Sequence, residues 1–343
     1  MPSFREGEVK SILEERLGLQ RVEVDFGEGP QRAYVLPQLT GSVGLGDRVI
    51  VNTTAVELGL GTGGWHVVHW NLARGEWSEP GPGHIMKARY TSYQHDVGST
   101  EEHWEDLADV TSIDGMPVVA AALHSQLPAV VVALKERAPV ARVAYVMTDG
   151  AALPLALSDL VFTLRQKGLI DATITCGHAF GGDHEAVSIY SALAIARHIA
   201  HADVAVVVMG PGIVGTASRL GYSGIEAGLV LDATAGLDGV PIAALRASYA
   251  DARDRHRGVS HHSITTLTTA TRSRVIVAAP DDLAIDDRIA ERHDIVRVPP
   301  TGIVERLATL GLHVESMGRT AAEDPILFEC AAAGGIVAAQ HLT

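Results

Sequence analysis

Ala202-Asp-Val-Ala-Val-Val-Val-Met209 runs straight into Gly210-Pro-Gly-Ile-Val-Gly-Thr216, so a nearly unbroken apolar stretch empties into a glycine-rich loop. A run of this kind suits a strand covered on both faces, and such strands belong to parallel sheets. Working outward, similar runs occur at Pro117 to Leu123, Ala141 to Met147, Asp171 to Thr175, Pro241 to Ser248 and Arg274 to Ala279. Helical segments separate them, most clearly Leu153 to Lys167 and Ala186 to Ile199, each long enough for a crossover. Strands alternating with helices predict an α/β fold built on a doubly wound, mostly parallel sheet. Segments 295–298, 302–310, 314–317 and 325–341 complete or buttress it.

Upstream of Met116 the pattern differs. Gln20 to Phe26, Gln31 to Leu36, Arg48 to Asn52, Trp65 to Asn71 and His84 to Tyr90 read as short strands bounded by glycine-rich turns. Val22, Val24 and Phe26 alternate with Glu23 and Asp25, the period of a half-buried strand. Such a series predicts a small glycine-rich β-barrel-like domain. Gly61-Thr-Gly-Gly64 reads as a turn between strands, with an anion cradle as the alternative. The expected organisation is residues 1–100 as the β-rich domain, 101–115 as an acidic linker, and 116–343 as the α/β domain carrying the site.

With 27 basic and 41 acidic residues, the chain carries a formal charge of −14. The field of such a chain repels polyanions, so neither nucleic acid nor an anionic membrane is an expected partner. No apolar run reaches the length of a membrane helix. Two cysteines in separate elements, Cys176 and Cys330, make no disulfide framework, and a cytoplasmic location is expected.

Open parallel sheets bind ligands outside the carboxyl ends of their strands. Five successive strand candidates deliver polar or glycine-rich loops there: His124-Ser-Gln126, Thr148-Asp-Gly150, Cys176-Gly-His178 with Asp183-His-Glu185, Gly210-Pro-Gly212, and Asp251 to Ser263. His124, Asp149, His178, Asp183, His184 and His261 are the candidate catalytic groups, because imidazole and carboxylate move protons near neutrality. The first five also suit zinc or another divalent metal by type, although their spacing matches no standard motif. Each histidine has a plainer alternative as a loop-bracing hydrogen-bonding group, and Asp183 one as a helix cap. Gly210, Gly212, Gly215 and Thr216 are expected to hold an anion through backbone amides with Arg219 nearby, and Arg253, Arg257 and His262 to add side-chain contacts.

The same glycines formally match G-x-G-x-x-G with Asp232 downstream, but Asp232 falls within a helical stretch, which argues against a dinucleotide. No cofactor is specified. The arginine loop also contains Asp251 and Asp254, so self-neutralisation is the alternative to anion capture. The functional expectation is an enzyme acting on a small anionic metabolite, phosphorylated ones included. A non-catalytic metabolite sensor is the alternative, and a self-associating structural protein a third. The apolar helix around Ala331 to Ala339 makes a homodimer reasonable.

Six strings, Gly83-His-Ile-Met-Lys-Ala-Arg-Tyr-Thr91, His124-Ser-Gln-Leu127, Val146-Met-Thr-Asp-Gly150, Gly210 to Thr216, Arg255-His-Arg-Gly-Val-Ser-His-His-Ser263 and Met317-Gly-Arg319, together resemble a bacterial domain-of-unknown-function family, number 3866. The resemblance spans both halves of the chain. It implies no activity or cofactor, but it adds Met317-Gly-Arg319 to the recurrent motifs.

Overall fold

The structure is a computed structural model, and it describes residues 2–61 and 63–342. By its internal contacts the chain divides into two compact units, residues 1–97 and 98–343.

In the first unit, β1 (Phe4–Arg16), β2 (Leu19–Asp25), β3 (Pro30–Val35), β4 (Arg48–Asn52) and β5 (His66–Asn71) close a barrel in the order β1-β2-β3-β5-β4. Single-turn helices α1 (Pro37–Thr40) and α2 (Thr54–Glu57) occupy two of its connections. Val9, Val22, Val24, Ala33, Val35, Val49, Val51 and Val68 fill the interior. They alternate with polar residues, as small barrels require. β1 was not expected, because its charged residues lie outward and few of its side chains are buried. The expected strand over His84 to Tyr90 shrinks to β6 (Met86–Lys87), paired with β7 (His95–Asp96). The expected Gly61–Gly64 turn contains Thr62, which lies outside the described residues.

The second unit is a doubly wound α/β fold. Its strands are β8 (Pro117–Ala121), β9 (Val143–Met147), β10 (Ala172–Cys176), β11 (His184–Ala186), β12 (Val204–Val207), β13 (Val240–Ala244), and, after the short antiparallel pair β14 (Ala247–Ser248) and β15 (Gly258–Val259), β16 (Ile276–Pro280) and β17 (Asp294–Val298). Eight of them form an all-parallel sheet in the order β11-β10-β9-β12-β8-β13-β16-β17. Successive side chains alternate faces. Val119 and Ala121 therefore pack with α3 (Leu127–Arg137), α4 (Asp159–Gln166) and α9 (Ile303–Thr309), whereas Val118 and Ala120 pack with α5 (Ile189–His198) and α6 (Ala227–Gly236). The short helices α7 (His261–Thr265) and α8 (Asp287–Ala290) and the hairpin β18 (Glu315–Ser316) and β19 (Arg319–Thr320) complete the loops, and α10 (Pro325–Gln340) ends the fold. Ala331 to Ala338 are buried within this chain, so α10 offers no free face and the sequence-based ground for a homodimer falls away. Among the described residues no helix is long and apolar enough to cross a membrane.

Candidate functional site

The chain leaves β8 for β9 on one side and β12 for β13 on the other, which makes the gap between neighbours β8 and β12 the topological switch point. A cavity of about 530 Å³ opens there, lined by His124, Asp159, Thr163, Gly212, His313 and Glu315 among others. No lysine or arginine is among its lining residues. Gly212 lines it, but the arginines expected to help hold an anion there do not.

His124 stands at this cavity with both ring nitrogens occupied. Nδ1 lies 3.0 Å from the Met209 carbonyl oxygen and Nε2 lies 2.7 Å from Ser158 Oγ. Ser158 also caps α4, accepting from the Val161 amide at 3.1 Å. One neutral tautomer satisfies the whole chain: Nδ1–H donates to Met209, and the Ser158 hydroxyl donates to Nε2. Burial pushes the His124 imidazole down to about 4, against which the Met209 carbonyl acts. Through these bonds His124 joins β8, β12 and α4.

Asp183 and His184 are not at the carboxyl edge. The loop after β10 doubles back, so His184 pairs with Ile174 and β11 runs parallel beside β10. Asp183 accepts from the Thr173 amide at 2.8 Å and from Arg165 at 2.6 Å, which fastens the start of the edge strand. It does not cap α5, whose cap is Ser188. The expected grouping of His124, Asp149, His178, Asp183 and Gly212 in one crevice therefore fails at Asp183.

Asp149 and His178 do meet, the Asp149 carboxylate accepting from the His178 amide at 2.9 Å. Gly177 makes this possible: its φ is +66°, and a Cβ there would sit 2.3 Å from Asp149 Oδ2. Sequence reasoning missed the partner acid, Glu226, which accepts from the Thr148 hydroxyl. Burial raises the Glu226 carboxyl to about 7; the Thr148 bond opposes the rise and the Asp149 charge adds to it.

The glycine loop after β12 is a flap, not a helix-opening cradle. Gly215 bridges Tyr222 antiparallel, the Thr216 amide donates to the Gly221 carbonyl at 2.7 Å, and the Val214 amide turns to Ser223 Oγ at 3.2 Å. Amides at Val214 and Thr216 are thus spent within the loop, and no helix begins at Gly215. Gly210 instead allows close packing, since a Cβ would lie 2.6 Å from the Ala152 carbonyl oxygen. Asp232 lies in α6, where it accepts from the Arg272 and Ser273 amides, and no dinucleotide acid exists at that position.

What gathers instead is a cluster beyond β13. His256, His261 and His262 each present a ring nitrogen within 4.8 Å of the others. Ser260 positions two of them, its Oγ lying 2.7 Å from His256 Nδ1 and accepting from the His262 amide at the start of α7. Tyr222 stacks on His262 with ring centroids 3.7 Å apart. Arg246, which leaves β13 buried, places Nη1 3.0 Å from His262 Nδ1. His261 Nε2 is buried and has no hydrogen-bond partner among the described residues.

Asp251 anchors the arginine loop. It binds Arg253 through two parallel bonds of 2.9 Å and reaches Arg319 at 3.4 Å, while Arg319 also binds Asp324 at 3.1 Å. Arg257 donates to the Asp251 backbone carbonyl at 3.0 Å. Arg253 and Arg257 are therefore engaged within the loop and are not free anion contacts, while Met317-Gly-Arg319 does reach this cluster. Arg253 lowers the Asp251 carboxyl strongly by hydrogen bonding. Arg246 has no such carboxylate partner: its guanidinium is lowered to about 10, first by burial and then by Arg253. Burial also lowers His256 to about 4 and His262 to about 3, with Arg246 the next cause in each. The same effect reaches His261, where Arg255 and the exposed Arg219 contribute. The site is locally positive in an acidic chain, and its burial and arginines disfavour protonation of all three imidazoles.

Among comparisons with known proteins, no curated protein matches. A solved structure described as the crystal structure of YjeQ from Thermotoga maritima aligns at 12% identity over 64% of this chain and 73% of that one, with a TM-score of 0.16, and carries no argument at that score. A family model described as "Protein of unknown function (DUF3866)" matches residues 32–335. That match takes in most of both units, including the histidine cluster and Arg319, and the chain belongs to this family.

Proposed function

We propose that the α/β unit is an enzyme that binds a small anionic metabolite, a phosphorylated one foremost, over Arg246 and the three histidines. The observation that carries this reading is the state of Arg246. A buried guanidinium normally faces a carboxylate, because an uncompensated buried charge is destabilising by several kcal/mol. Here the side chain's partner is a neutral ring. The neighbouring charges, Arg253, Arg255, Arg257 and Arg319 against Asp251, Asp254 and Asp324, leave a positive excess. An incoming anion would offset both deficits, and charge-assisted bonds to guanidinium are the strong class.

The test is calorimetric titration with inorganic phosphate, followed by phosphorylated metabolites. Arg246→Met, which keeps the stem and removes the charge, is expected to weaken binding by about 10–100-fold, the worth of about 1.5–3 kcal/mol in a charged hydrogen bond. Arg257→Ala should change affinity far less, since that side chain holds a backbone carbonyl. Equal affinity in Arg246→Met and the native chain, or no binding of any such anion, sinks the reading.

A further inference from the structure

We propose that His256, His261 and His262 form a three-imidazole centre for a divalent first-row transition ion, zinc foremost, with its open position taken by an oxygen of the anion held at Arg246. The anion part rests on the function proposed above, whereas the metal centre stands on the histidines alone.

Three imidazoles plus one exchangeable ligand is the donor set of catalytic zinc. The ligand nitrogens lie within 4.8 Å of one another. Tetrahedral zinc, about 2.0–2.1 Å from each nitrogen, sets them roughly 3.3 Å apart, so side-chain rotation must draw them in by at most about 1.5 Å. The surroundings suit that task. Ser260 holds Nδ1 of His256, the kind of contact that orients a metal-binding imidazole and leaves Nε2 for the ion. Tyr222 fixes the plane of His262. His261 Nε2, buried and without a partner among the described residues, carries in the Nδ1–H tautomer a lone pair that folding leaves unsatisfied and that a metal would take.

The arginines oppose a lone dication. Arg246 also occupies the lone pair on His262 Nδ1, which keeps that ring's proton on Nε2, so a metal must displace either that proton or Arg246. An anion that draws Arg246 away removes both obstacles. It neutralises the guanidinium, and it lets the ring's single proton rest on whichever nitrogen the ion does not use. Metal and anion should therefore bind with positive coupling, each raising the other's affinity by the same factor.

The experiment is titration of the metal-stripped full chain with zinc, with and without phosphate kept below the solubility of its zinc salt. Cobalt(II) reports geometry in parallel. One equivalent should bind, tightened about tenfold or more by phosphate, the scale of an allosteric coupling. Bound cobalt should show the intense visible absorption of a four-coordinate ion, and X-ray absorption should show imidazole scattering. Arg246→Met should bind zinc tightly without phosphate and lose the enhancement. His261→Gln, the substitution least disruptive to packing, should weaken zinc by roughly tenfold or more, at least what losing an outer-shell partner does.

Zinc binding in Arg246→Met with no phosphate binding in the native chain would keep the metal centre and discard the anion reading. Phosphate binding with no zinc equivalent in either chain, six-coordinate cobalt, absence of imidazole scattering or unchanged affinity in His261→Gln would overturn the metal centre while leaving the anion reading intact.

Discussion

Glu226 and His124 respond to pH in opposite senses. The Glu226 carboxyl is raised from 4.5 to about 7, mainly by burial, so the folded chain keeps a proton that the unfolded chain releases. Its contribution is complete below about 4.5 and is lost as pH rises toward 7. Glu226→Gln should flatten that loss and, at pH 8, be at least as stable as the native chain, the difference reaching roughly 1–2 kcal/mol after allowance for partial exposure. Urea unfolding at pH 5 and pH 8 measures it; a variant less stable than native at pH 8 refutes the account. His124 has a folded pKa of about 4 against 6.5, so the unfolded chain binds the extra proton between those values and stability falls as pH drops through that window. His124→Gln should remove that part of the acid sensitivity, visible as a shallower slope of unfolding free energy between pH 6.5 and pH 4.5. Neither Glu226 nor Arg246 was legible in the sequence. Each matters because of what burial and one neighbour do to it, and a lone acid in a helical stretch or a lone arginine ending a strand carries no local sign of either. The His256 to Ser263 string was legible because its residue types are unusual wherever they sit.

At the level of elements, glycines in α10 make a sharp comparison. A Cβ on Gly335 would lie 2.1 Å from the Val130 carbonyl oxygen of α3, backbone that cannot yield without moving a helix. On Gly334 the nearest atoms are Val119 Cγ1 at 3.1 Å and Ala244 Cβ at 3.4 Å, which small shifts accommodate. Gly335→Ala should therefore destabilise by about 2 kcal/mol or more, as overpacking does. Gly334→Ala should be close to neutral, since the helix propensity gained, about 1 kcal/mol, offsets the crowding. Chemical denaturation of the two variants side by side decides it, and equal midpoints would count against the packing described. The continuous apolar strands were readable because parallel sheets bury both faces. The return of the chain from β10 to β11 was not, since three residues of edge strand carry too little pattern to reveal a doubling back.

For the whole molecule, a formal charge of −14 coexists with a cluster around Arg246 whose neighbouring arginines outnumber its carboxylates. The two-part architecture could be read from the sequence as a change of period near Met116. The location of the cluster could not, because it depends on which loops the strand order brings together. That order also places α10 against β8, β13, β16 and α3, elements drawn from widely separated parts of the chain. During synthesis the central strands leave the ribosome long before residues 325–340 arrive to cover them. The face that α10 fills must wait, with Val119, Ala244 and Ala278 open to water. Such deferred, non-local closure makes for slow folding and a prolonged need for protection from aggregation. Removing residues 325–340 should therefore leave that sheet face uncovered and prone to aggregation.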